Sequence, residues 1–262
     1  MMIDSQPKKR LSHHRIPWPR LLAMLLVCGP ASLPGLEAAT QTGVDKQYIP
    51  ISDAIEPDPE IAAVIRPYSI ELDRIMDQLV TVSTAVMPVE QPESAVGNLA
   101  ADILRTEASR RSGKDIDIAL MNHRGLRIPL PKGPITVRTM FELMPFENNI
   151  TLLKFTGAQI QDLADELAVY GGEPISGMRM RIVGDQGRDV TVGGEPVDPQ
   201  ATYWLATNVW LADGGGPLPT LWEPLERVDL PDLIRESFIE YLSKLDEISP
   251  VLDGRITQEE AP

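Results

Sequence analysis

Glu93-Ser94-Ala95-Val96-Gly97-Asn98-Leu99-Ala100-Ala101-Asp102 opens a run that reads through helix, strand and loop without interruption. From Ser94 to Arg110, Val96, Leu99, Ala100, Ile103 and Leu104 share one face at i, i+3 and i+4 spacing, with Arg105, Arg110 and Arg111 off it. Gly113 ends that helix. Ile116 to Met121 is short and apolar between polar neighbours, the pattern of a buried strand, and a loop from Asn122 to Gly133 follows directly.

Outward from this unit, helical and strand patterns alternate. Asp58 caps a helix with Pro59 in its first turn, and Ile61, Val64, Ile65, Leu72, Ile75, Met76 and Leu79 recur at helical spacing. Val80 to Val89 alternates toward a strand, while Ile135 to Leu143 is ambiguous. Asn149 to Phe155 reads as a strand, and Gly157 to Tyr170 as an amphipathic helix stopped by Gly171 and Gly172. Ser176 to Val183, Asp189 to Val192 and Thr202 to Thr207 read as strands with glycine-rich turns, and Asp232 to Leu245 as the last helix. The expectation is an α/β (α+β) domain, a mixed β-sheet flanked by helices, over residues 58–250, with 251–262 as a tail.

The amino terminus carries Lys8, Lys9, Arg10, Arg15 and Arg20 ahead of an apolar run, Leu21 to Val27, and then small residues to Ala39. That order is expected of a cleaved export signal over 1–39, followed by an extended lead-in over 40–57 and a periplasmic or secreted product. The run is too short to span a bilayer. Cleavage would remove the single cysteine, Cys28, together with His13 and His14, leaving His123 as the one histidine. Disulfides, thiolate chemistry and multi-histidine metal sites are thereby excluded from the mature chain, and no catalytic residue, metal or cofactor is expected. Residues 1–38 hold five basic and two acidic side chains, so their loss takes the formal net charge from −14 to −17. Such a field opposes nucleic-acid and anionic-membrane binding, and an anionic ligand needs a local basic pocket.

Three loop segments combine polar, aromatic and glycine residues: Asn122-His123-Arg124-Gly125-Leu126-Arg127, Pro145-Phe146-Glu147-Asn148, and Thr207-Asn208-Val209-Trp210-Leu211-Ala212-Asp213-Gly214-Gly215-Gly216. With the Glu93–Asp102 stretch ahead of them, in this order and at these separations, they resemble the carboxy-terminal, substrate-binding domain of the 5′-nucleotidase family, from about residue 60 to 245. The resemblance implies a domain that holds the nucleoside part of a nucleotide between two aromatic rings while a metallophosphatase domain hydrolyses it. Phe146 and Trp210 fall on the ring positions, Arg127 on the ligand-contacting arginine and Asn148 on the asparagine that reads the base. Arg124 and Asn122 join the candidate binding set.

The pattern also departs from the family. Gly216 stands where the family has Asp, His123 and Arg124 replace two loop glycines, and Val89 to Pro92 offers no arginine upstream. Side chains at 123 and 124 would pay for positive φ, so a reshaped loop is expected. No metallophosphatase domain is read in this chain, so hydrolysis is expected of a separately encoded subunit. His123 reads as a loop hydrogen-bonding residue, Asp213 as a turn residue, Met140, Met144, Met178 and Met180 as core, and Trp222 as outside the site. Two other readings stay open: a module for another aromatic ligand, and an interaction domain with a degenerate pocket.

Overall fold

The computed structural model describes Ser52 and residues 55–259. The segment read as an export signal, and most of the lead-in, lie outside the described residues. The unit that begins at Pro57 carries the fold.

Helix α1 (Pro59–Met76) is capped by Asp58, whose carboxylate accepts from the amides of Glu60 and Ile61. Its apolar residues keep helical spacing, yet none of the helix is buried, and Ile61, Val64 and Ile65 are exposed. Strand β1 (Leu79–Ser83) is shorter than its alternation promised. The run ends in a bend, after which Met87 bridges Leu130. Helix α2 (Ala95–Ser112) starts at Ser94, whose hydroxyl accepts from Gly97 N, and ends at left-handed Gly113. Strand β2 (Ile118–Leu120) follows, then a 3₁₀ turn over His123–Gly125. The ambiguous segment resolves into β3 (Gly133–Thr136) and α3 (Val137–Leu143), divided by a capping box at Thr136 and Thr139. Strand β4 (Asn149–Thr156) runs into α4 (Gly157–Val169), again through a capping box, at Thr156 and Gln159.

The remaining chain supplies β5 (Ile175–Ser176), β6 (Met178–Val183), β7 (Gln186–Val192), β8 (Glu195–Pro196), β9 (Thr202–Asn208), α5 (Val209–Ala212), β10 (Glu226–Leu233), α6 (Ile234–Leu242), β11 (Glu247–Ile248) and β12 (Ile256–Gln258). Three sheets form: β11-β1-β3, a central β10-β4-β9-β2-β5, and β12-β6-β7-β8. The architecture is the expected mixed α/β fold with helices flanking mixed sheets, its strands divided among three of them. Among the described residues no helix is long and apolar enough to cross a membrane.

Both faces of the central sheet are buried. Ile150 and Leu152 of β4, Ala119 of β2 and Ala206 of β9 join one core with residues of α2, α3 and α6. Leu153, Phe155, Ile118, Leu120 and Leu205 point into a second core with α4, β6 and β7. A strand buried on both sides reads as a continuous apolar run, which is why β2 and β4 were visible in sequence. Met140, Met144, Met178 and Met180 are buried in these cores.

Two assignments are corrected. The segment read as a tail packs on the domain over its described residues, which end at Glu259: β12 pairs parallel to β6, Ile256 opposite Met180, and Arg255 is buried. The segment read as a helix from Asp232 begins as strand, because β10 pairs antiparallel to β4 from Glu226 to Asp229 and again at Leu233.

Candidate functional site

Sheet polarity gathers the three loop segments at one end. Strands β2 and β9 are parallel, Ile118 opposite Leu205, so the turns after both leave the same edge of the sheet. Strand β4 is antiparallel to β9, with Ile150 opposite Asn208, so the segment preceding β4 enters there as well. Carboxyl ends of parallel strands are where open α/β sheets place ligands. Asn122, Arg124, Gly125, Arg127, Phe146, Asn148 and Trp210 together line one cleft of about 250 Å³ at this edge. All six residues singled out from the sequence are among them; Gly125 is the addition.

Phe146 and Trp210 are 49% and 46% exposed, so neither ring plugs the core. The Arg127 guanidinium lies 6.0 Å from the Phe146 ring centroid, at the outer range of a cation–π contact, and its Nη1 reaches back to the Arg124 carbonyl at 3.4 Å. Trp210 lies in α5, the single helical turn that follows β9, and not on the tip of the glycine loop. Its indole rests on that loop: a Cβ at Gly215 would sit 2.1 Å from the ring, so only glycine fits. Gly214 passes Trp222 on the same loop, 3.7 Å from the indole to where a Cβ would stand, so Trp222 is closer to the site than its sequence position implied.

The loop at His123 and Arg124 avoids the positive φ that is costly for a residue with a side chain. It is a 3₁₀ turn, and among the described residues Asp189 is the only non-glycine with positive φ, so substituting two glycines here carries no backbone strain. Glu173 anchors the turn by accepting from the backbone N–H of His123 and pairing with its ring Nδ1 at 2.8 Å. Burial pushes the Glu173 carboxyl above the ordinary glutamate range, against the lowering pull of those His123 hydrogen bonds. Asp213 ion-pairs with Arg227 outside the cleft.

Three supporting residues escaped the sequence reading as site elements. Asn208 was quoted within its motif, yet its work is structural: its Oδ1 caps α5 and its Nδ2 holds Asn122. Glu173, beside the Gly171-Gly172 turn, and Arg235, in the first turn of α6, carried no local signal. The upstream segment without arginine is also committed to structure, since Gln91 Nε2 donates to the carbonyls of Tyr170 and Gly172. Two acidic residues of the Glu93–Asp102 stretch serve the fold as well. Glu93 accepts from Asn98 and from Asp253 N, and Asp102 holds Ser176 and Arg255. Among the described residues no group of three or more His, Cys, Asp or Glu side chains is arranged to hold a metal ion.

With this edge-of-sheet cleft built from three loops, the sequence matches the family model described as "5′-nucleotidase, C-terminal domain" over residues 76–223. The chain belongs to that family. It is 30% identical over 222 residues to Endonuclease YhcR of Bacillus subtilis, an alignment covering 79% of this chain and 17% of the relative. Trifunctional nucleotide phosphoesterase protein YfkN of the same organism is 26% identical over 234 residues, covering 80% and 16%. The chain thus spans about a sixth of the length of these curated relatives. Among solved structures, the 5′-nucleotidase precursor from Thermus thermophilus superposes with a TM-score of 0.68 at 29% identity, over 79% of this chain and 44% of that one.

Proposed function

We propose that this chain is an exported binding module that holds the nucleoside part of a nucleotide in the cleft at the β2/β9 edge and works with a separately encoded metallophosphatase in nucleotide breakdown. One observation carries the reading: residues from three segments far apart in sequence, those on which the family resemblance rests, line a single cleft. Phe146 and Trp210 supply the stacking surfaces, each worth about 1–3 kcal/mol against a base. Asn148 presents an amide, able both to donate and to accept, to the edge of the base. Arg127 makes the main polar contact to the sugar, with Arg124 and Asn122 at the rim. The names of the relatives, a nucleotide phosphoesterase and a 5′-nucleotidase precursor, support a nucleotide-related role.

A thermal-shift screen of the purified chain against nucleosides, nucleotides and sugar nucleotides tests the binding reading, since a ligand that prefers the folded state raises Tm. A rise with nucleosides is expected; no shift with any of them leaves the interaction-domain reading. Export rests on the order of basic, apolar and small residues before residue 40. Amino-terminal sequencing of the secreted protein should find a start between about residues 36 and 41. Met1 on a cell-retained protein would defeat it. For the division of labour, the chain alone should release no phosphate from nucleotides with any added divalent metal. Release that disappears on mutation of this chain would overturn that part.

A further inference from the structure

Adjoining the cleft is a second, water-sized pocket of about 20 Å³, which shares Asn122, Gly125, Phe146 and Asn148 with it and is lined further by Asn208, Ile234 and Arg235. Arg235 is 5% exposed. A guanidinium held that far from water is costly unless its donors and charge are used, so its contacts say what it is for.

Its Nη1 donates to the carbonyls of Met144, at 3.1 Å, and Phe146, at 3.4 Å. Its plane lies over the Phe141 ring, 3.8 Å from the centroid. Its Nε lies 3.4 Å from Glu236 Oε1 and makes no hydrogen bond. The neighbouring Ile234 N–H donates to the carbonyl of Asn148 at 2.9 Å. Two consecutive residues at the start of α6 therefore bind three carbonyls of the five-residue segment Met144–Asn148, which lies between α3 and β4.

We propose that Arg235 is the positioning residue for the Phe146 side of the cleft: by gripping the backbone on both sides of Pro145 it sets where the Phe146 ring and Asn148 amide stand. It touches no ligand itself. The proposal rests on the nucleoside-binding reading for its effect on affinity, but not for its effect on Phe146. One nitrogen, Nη1, serves both carbonyls while the guanidinium lies flat on the Phe141 ring; a lysine ammonium has donors for carbonyls but no planar face to stack, so lysine is only a partial replacement.

The test compares Arg235→Met and Arg235→Lys with Ile160→Val, a core substitution in the cluster around α4, away from this segment. Fluorophenylalanine labelling gives one fluorine resonance for each of the four phenylalanines, assigned by single Phe→Leu variants. In Arg235→Met the Phe146 resonance should move or broaden, along with that of Phe141, while Phe155 and Phe238 stay in place; Ile160→Val should shift neither Phe141 nor Phe146. Titration calorimetry with adenosine, inosine, guanosine, cytidine and uridine should show affinity for the best binder falling about tenfold in Arg235→Met and less in Arg235→Lys, at temperatures where each variant is fully folded. Should Arg235→Met not fold, Arg235→Lys carries both measurements. Wild-type affinity in both variants, or an unmoved Phe146 resonance, overturns the proposal. If the wild type binds none of the five nucleosides, the reading of the cleft fails, and the fluorine spectrum alone decides the role of Arg235.

Discussion

Asn208 Nδ2 donates to Asn122 Oδ1 across 3.1 Å while Asn208 Oδ1 accepts from the Leu211 amide at 2.8 Å. One side chain, 2% exposed, thereby ties the loop after β2 to the turn that carries Trp210. Asn208→Ala removes a cap and a buried hydrogen bond together, and should cost about 1–3 kcal/mol in urea denaturation. Asn208→Ser keeps a capping oxygen but does not reach Asn122, so it should recover part of that loss. An alanine variant as stable as the wild type would show that the two loops are held by something else.

Arg255 makes the corresponding tie for the last strand. It is 7% exposed, forks onto both carboxylate oxygens of Asp102 and both of Asp253, and donates to the carbonyl of Ile175. Its carboxylate partners, with the Asp102 side chain 47% exposed and that of Asp253 33%, are partly screened by water, which reduces what the pairs are worth. Arg255→Met should therefore destabilise by about 2 kcal/mol, between the values for exposed and for buried pairs. Removing residues 251–262 should lower Tm further, because β12 and its pairing with β6 go as well. A truncated chain with unchanged Tm would return these residues to the status of a tail.

The comparison between these ties and the cleft shows what sequence could reveal. Side chains that define the cleft are grouped in short, chemically distinctive loop runs that residue type alone picks out, whereas the particular roles of Phe146, Asn148, Trp210 and Arg127 rest on the resemblance to the 5′-nucleotidase family. Strands buried on both faces were legible as apolar runs. Strand β10 was not, because it opens on the charged pair Glu226-Arg227, buries none of its residues fully and contains Pro231. Its pairing to β4 is a tertiary fact. The contacts by which Arg235, Glu173 and Arg255 tie segments together, to Met144, His123 and Asp102, span 50 to more than 150 residues, and local sequence does not announce them. Helix α1 was legible as a helix from its cap and spacing, but spacing alone did not say that its apolar face stays uncovered.

The Glu173 carboxyl gives the site's anchoring turn a pH dependence with a definite sign. Burial raises its folded pKa above the unfolded value of about 4.3, so the folded state holds the proton more tightly. The associated stability is present below the unfolded pKa and is lost as pH rises through the folded one. Glu173→Gln is neutral at every pH and retains an oxygen for the His123 amide. Its stability relative to wild type should improve as pH rises from about 4 through the raised folded pKa and level off above it, followed by urea denaturation in buffers of constant ionic strength. A difference between the two proteins that does not change with pH, or that changes in the opposite direction, would mean that the His123 hydrogen bonds and not burial govern this carboxyl.

Trp210 carries the sharpest prediction about the ligand. Its ring lines the cleft and packs on Gly215, so a base stacked there changes the surroundings of the indole, and tryptophan emission should respond to nucleoside. Trp210→Ala should cost about 1–3 kcal/mol of binding free energy by titration calorimetry. Trp222 is a poor control, since it abuts Gly214 on the loop beneath Trp210, and Trp222→Ala should weaken binding by a smaller amount. Trp204 is a better one: it lies within β9, flanked by the ammonium groups of Lys114 and Lys154 at 4.5 and 5.5 Å, and it does not line the cleft. Trp204→Ala should leave affinity unchanged in protein that remains folded. With Gly216 in place of the aspartate that the family resemblance implies, and no arginine in Val89 to Pro92, where Gln91 binds backbone carbonyls, little is left to favour a phosphate over a hydroxyl on an acidic chain. A nucleoside should accordingly bind within a few-fold of its monophosphate, and that ratio should change little with salt, because a lost phosphate contact is what salt would otherwise weaken. Wild-type affinity in Trp210→Ala would remove the stacking role, whereas a monophosphate bound a hundredfold more tightly than its nucleoside would show that Arg124 and Arg127 form a phosphate site and not a contact to the sugar.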